Sequence, residues 1–154
     1  MSHSLTPFSG HERRITLRLL SYWEKIRRDR AMPSESDIVA AEIADLWEHC
    51  FLVHVADIHK AGHHFAYLGE AIRRAYAGAL SDVEASRLIS PNVERLADCY
   101  MEIIHTQKPV VDEGEFRNHS GELVKYRQCL LPLGEAGEVQ AIFGGMRYKL
   151  FPSA

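Results

Sequence analysis

The sequence predicts an α+β fold: one antiparallel sheet of five strands with helices on one face and an additional N-terminal helix. Three observations carry that prediction. Apolar residues recur with a helical period over 11–30 and again over 90–107. Five β-like runs fall two before and three after the central helical stretch. The strand–helix–strand alternation of a doubly wound parallel sheet is missing. The 154 residues, at 17.5 kDa, suit one domain with a real core. They divide into a flexible lead-in at 1–10, a helix and turn at 11–36, and the body of the fold at 37–154.

Each element has its own warrant. Ser, Thr, Pro and Gly without periodicity mark the lead-in. In the first helix Ile15, Leu19, Tyr22 and Ile26 form a stripe that Leu20 and Trp23 widen, and Pro33 ends it. The stripe is wider than a helix needs to cover a small sheet, so Leu20 and Trp23 are expected on the seam of a homodimer. After a turn at 34–37, residues 38–47 read as a short irregular helix with Ile43, Leu46 and Trp47 inward. Residues 50–56 are rich in β-branched and aromatic side chains, Lys60-Ala61-Gly62 supplies a turn, and 64–68 completes a hairpin.

Helical pattern returns at 69–77 and 82–88, and a longer helix opens at Ser90-Pro91, where Ser caps and Pro takes the first helical position. Val93, Leu96, Ala97, Tyr100, Ile103 and Ile104 share one face of it, and Lys108-Pro109 closes it. Runs at 110–118, 123–133 and 139–150, joined by turns at 119–121 and 134–137, form an antiparallel meander.

Composition narrows the function. Hydrophobic residues at 46% and charged ones at 25% are the globular average, which excludes disordered, collagenous and disulfide-scaffold classes. No apolar run is long enough to span a bilayer and the start lacks a signal-peptide pattern, so a soluble cytoplasmic protein without membrane insertion is expected. Cys50, Cys99 and Cys129 are odd in number and widely spaced, and are read as small buried hydrophobes. The net charge is −3, yet residues 11–30 hold seven cations against three acids. That helix fits a solvated face or one docked on its own acidic domain better than a nucleic-acid platform, because the cations are spread round it and no aromatics interleave.

The phosphate-cradling, dinucleotide, serine-hydrolase and zincin motifs are all missing. Asp57, His59, His63 and His64 gather at the first hairpin, but His63 and His64 point to opposite strand faces, so no metal is assigned there. His54, between Val53 and Val55, is either outward or inward and hydrogen-bonded, and Asp37 is read as a cap for the following helix. Tyr67, Tyr100 and Tyr126 can each present a hydroxyl from an apolar wall, as a small-molecule pocket requires; plain core packing is the alternative.

The layout of five antiparallel strands split two plus three resembles a PAS domain, and particular residues sharpen the likeness to the stand-alone alphaproteobacterial type. They are Tyr22-Trp23, Pro33 with Asp37-Ile38, Phe51-Leu52, Tyr67-Leu68-Gly69 with Ile72, Pro109, Leu130-Leu131-Pro132-Leu133, and Ile142-Phe143-Gly144-Gly145. The likeness spans about 17–150 and departs at Val39-Ala40-Ala41, where a proline is usual, and at Leu80-Ser81-Asp82, where Thr-Gly is. It implies a sensory or regulatory module whose pocket lies between the 90–107 helix and the sheet, here Tyr67, Tyr100, Ile104, Phe116, Tyr126 and Phe143.

In haem-binding members a histidine of that helix ligates iron, but His105 falls off the apolar stripe and is expected to face solvent. The cysteine motif of the flavin-binding members is not found around Cys50 or Cys99, so the cofactor stays unknown. The reading is therefore a non-catalytic sensory domain that binds an unknown small molecule and a signalling protein partner. The alternatives are a cone-type α+β isomerase or dehydratase using a pair such as His54 and Asp57, and a ligand-free scaffold.

Overall fold

The computed structural model describes residues 10–57, 65–77, 93–118 and 120–152. Helix α1 spans Gly10–Arg27. A 3-10 turn at Glu35–Asp37 occupies the expected turn, and two more, Ala40–Ile43 and Trp47–His49, take the place of the irregular helix expected at 38–47. Strand β1 is Cys50–His54 and β2 is Tyr67–Leu68, followed by α2 at Glu70–Ala77 and α3 at Val93–Thr106. Strands β3 at Val110–Arg117, β4 at Leu123–Glu135 and β5 at Glu138–Phe151 complete the chain. The expected 82–88 helix and the Ser90-Pro91 cap lie outside the described residues.

All five strands pair antiparallel in the order β2-β1-β5-β4-β3. The β4–β5 ladder runs on to Glu135 opposite Glu138, so Gly134 and Glu135, expected in a turn, belong to the strand. The turn is only Ala136-Gly137, both with positive φ, which is the two-residue geometry whose twist matches that of paired strands. A positive φ at Gln107 likewise stops α3 as its amide reaches back to the Ile103 carbonyl at 2.6 Å.

Register assigns the two faces of the sheet. Gly145 lies between Cys50 and Cys129 on neighbouring strands, and a Cβ there would strike Leu19 of α1. Two small side chains flanking a glycine thus form the notch into which α1 docks. Trp23, one turn further on, donates its indole N–H to the Pro132 carbonyl at 2.8 Å. Phe51, Gly144, Leu130, Tyr126 and Phe116 belong to the opposite face, where Tyr76 of α2 stacks on Phe116 with ring centroids 4.5 Å apart. Helices therefore cover both faces, with α1 packed on β4 and β5 from one side. That is why residues 129–134 and 141–146 are buried without alternation, while 123–128 alternate.

The basic α1 docks on acids of its own chain. Arg18 pairs with Asp45, Tyr22 donates to Glu42 at 2.8 Å, and Arg30 reaches Asp37 at 2.9 Å. The Asp37 carboxylate accepts from the Ser34 amide and hydroxyl, so it closes its own turn rather than capping the element that follows. The Ser34 amide, with Arg30 beyond it, holds that carboxyl below the usual range.

Candidate functional site

The face of the sheet opposite α1 carries a polar group set into an apolar wall. On β3 and β4, register pairs Asp112 with Gln128 and Gly114 with Tyr126, all pointing to this face. Tyr126 has no exposed surface and Gln128 is 5% exposed. The Gln128 amide donates to Asp112 at 3.0 Å, and the Tyr126 hydroxyl lies 3.5 Å from the same carboxylate oxygen. Glycine at 114 makes this possible: a Cβ there would come 2.5 Å from the Tyr126 oxygen, so the ring lies across bare backbone on its way to Asp112. Phe116 and Tyr76 extend the wall, with Phe116 and Tyr126 centroids 5.9 Å apart. A buried amide and phenol that share one carboxylate, beside stacked rings, can orient a small molecule which is apolar over most of its surface and carries a hydrogen-bonding edge.

The six pocket residues expected from sequence do not converge. Phe116 and Tyr126 sit at this polar site. Phe143 points to the other face, the one α1 covers, because β5 alternates and its register partner there is Leu131. Tyr67 shares that other face through Leu52, stacks on Trp47 at 4.5 Å and donates to the Trp47 carbonyl at 2.8 Å. Trp47 in turn stacks on Phe143 at 6.1 Å, so Tyr67 and Phe143 belong to an aromatic cluster that fixes the Trp47–His49 turn. Tyr100 is buried with Ile103, and burial raises its phenol, which keeps the hydroxyl a donor. Ile104 is 39% exposed and lines no interior wall: the buried stripe of α3 runs i, i+3 through Tyr100 and Ile103, which turns the next residue outward.

Trp23, expected on a dimer seam, lies inside the chain. It is 5% exposed, with its indole N–H engaged inside the chain, so its ring offers no surface to a second subunit. Leu20 is half-buried against the core. Asp112 and Gln128 escaped sequence reading, although one signal marked them: each occupies an inward position of an alternating strand, between Val110 and Gly114 and between Tyr126 and Leu130.

His54 and His105 take ordinary roles. His54 meets Glu35 at 2.7 Å rather than forming a pair with Asp57. His105 is exposed on α3 and does not fit an iron ligand inside a pocket. His59, His63 and His64 lie outside the described residues, and no metal-holding group of three exists among the described ones. Burial pushes the Cys129 thiol up to about 12 and raises Cys50 too, which leaves both unreactive.

A family model described as PAS domain matches residues 11–147, a span that includes α1. No curated protein and no solved structure matches the chain significantly. No helix among the described residues is long and apolar enough to cross a membrane.

Proposed function

The chain belongs to the PAS domain family, and from that premise we propose that it is a cytoplasmic, non-catalytic sensory module. In this reading it takes a small ligand on the inner sheet face at Asp112, Tyr126 and Gln128 and passes occupancy to a signalling protein. One observation carries the reading: a buried Gln128 and Tyr126 converge on one carboxylate within an apolar wall. Buried polar groups cost stability unless satisfied, and a scaffold would gain more by replacing them with Leu or Val. The stacked rings of Phe116 and Tyr76 beside these polar groups suit a ligand with an aromatic or heterocyclic body and a hydrogen-bonding edge. Occupancy shifts the chain only as far as the ligand prefers one arrangement of the helices over another.

A homodimer belongs to the same proposal, with its seam on the outward side of α1, where Leu17 is 62% exposed beside Leu20. A thermal-shift screen of small metabolites and nucleotides on the parent, Gln128→Leu and Tyr126→Phe tests the site. A ligand that stabilises the parent should lose about 1 kcal/mol of binding for each orienting group removed. Equal shifts in all three proteins would place the site elsewhere.

A further inference from the structure

Beyond the inner face, a second site lies at the free edge of β5. Pairing with β1 ends at Cys50 opposite Gly145, so residues from 146 onward have no strand on that side. A cleft of about 370 Å³ opens there, lined by Glu48, His49, Ala71, Arg74, Arg147 and Tyr148. Arg147 donates to His49 Nε2 at 2.8 Å. A guanidinium has no acceptor to offer, so the imidazole is neutral and Arg147 keeps its full charge. Arg147 has no carboxylate partner among the described residues. Arg74 does have one, Glu48 at 3.0 Å, which leaves a single acid within the cleft.

The neighbouring strand adds to the imbalance. Register sets Arg127 directly opposite Arg147 and, one repeat along, Lys125 opposite Lys149, all on the face that α1 leaves half-open here. Like charges directly opposite one another destabilise a sheet, and two such pairs in succession oppose folding unless something anionic meets them. Glu113, at 3.5 Å from Arg127, and Glu115 on β3 balance only part of the charge. The Arg127 Nε remains buried without a hydrogen-bond partner. A chain of net charge −3 thus concentrates cations, and the unpartnered Nε of Arg127, beside a cleft of small-molecule size.

We propose that the free edge of β5, at the His49–Arg74–Arg147–Tyr148 cleft, binds the phosphate group of a small phosphorylated molecule. Arginine forks match phosphate oxygens two at a time, and Tyr148 can add a hydroxyl donor. This site is on different residues from the inner-face site, so either can fail alone.

Calorimetric titration of the full chain with pyrophosphate at low ionic strength tests it. Saturable one-to-one binding is expected, and Arg147→Gln should weaken it at least about tenfold, the worth of one lost charge-assisted pair. Lys108→Gln, an exposed cation remote from the cleft, should change it less than about twofold, as a merely screened charge does. If Arg147→Gln fails to fold, Arg74→Gln, at an exposed position, should weaken binding in its place. Absence of saturable binding to the parent overturns the proposal, as does equal weakening by Lys108→Gln, which would mean general charge attraction. Binding to phosphoinositide vesicles without binding to free pyrophosphate would assign the phosphate to a lipid and overturn the small-molecule site.

Discussion

Single residues decide how closely the layers of this fold approach, and the adjacent glycines of β5 differ in what they tolerate. At Gly145 an added methyl meets the end of the Leu19 side chain, which can move, whereas at Gly144 it meets the Cys129 carbonyl at 2.5 Å and the Phe51 ring. Gly144→Ala should therefore cost about 1–3 kcal/mol in urea denaturation, and Gly145→Ala less. His49 gives a residue-scale test by pH. Burial, with Arg147 beside it, holds the ring below the ordinary histidine value of 6.5, so the unfolded chain takes up a proton before the folded one does. The stability due to His49 is complete above that value and is lost as pH falls from it toward the lower folded one. His49→Gln, which can still accept from Arg147, should flatten this part of the pH dependence of the urea midpoint. An unchanged slope would mean that the imbalance is carried by other histidines.

At the scale of elements, α1 is the piece whose role differs most between sequence and structure. Its pattern is that of any amphipathic helix, and the width of the stripe reads equally as a seam or as deep docking. The docking shows only when Gly145, far along the chain, meets Leu19, and when the carbonyl of Pro132 in β4 meets Trp23. Trp23→Ala should then cost about 3–5 kcal/mol, a core truncation rather than a loss of association. If a homodimer forms, Leu17→Glu should produce monomers in light scattering with little change in melting temperature, since Leu17 is mostly exposed. A monomeric parent would end the dimer proposal. The existence and order of the strands were legible because alternation and turn chemistry are local, whereas their ends shifted: β1 stops at His54 and β4 runs on to Glu135. The 3-10 turn at Trp47–His49 was less legible, because Trp47 and Tyr67 fix it through stacking between distant segments.

Across the whole molecule the α+β class, the strand split and the PAS family were readable from the chain, because hydrophobic period and element order survive without any contact information. The site was half readable. Phe116 and Tyr126 stood on the right strands, but which aromatics share a face follows from pairing register, and one residue of parity separates Phe143 from both. Asp112 and Gln128 gain their meaning only as cross-strand partners, a relation between segments that neither strand carries alone. Native mass spectrometry of the chain purified from its own host tests the inner-face ligand without any assumption about its identity. The parent should carry one small non-peptide mass per chain, and Gln128→Leu, folded by circular dichroism, should have lost most of it. A parent that flies at the bare mass of the polypeptide would contradict the claim.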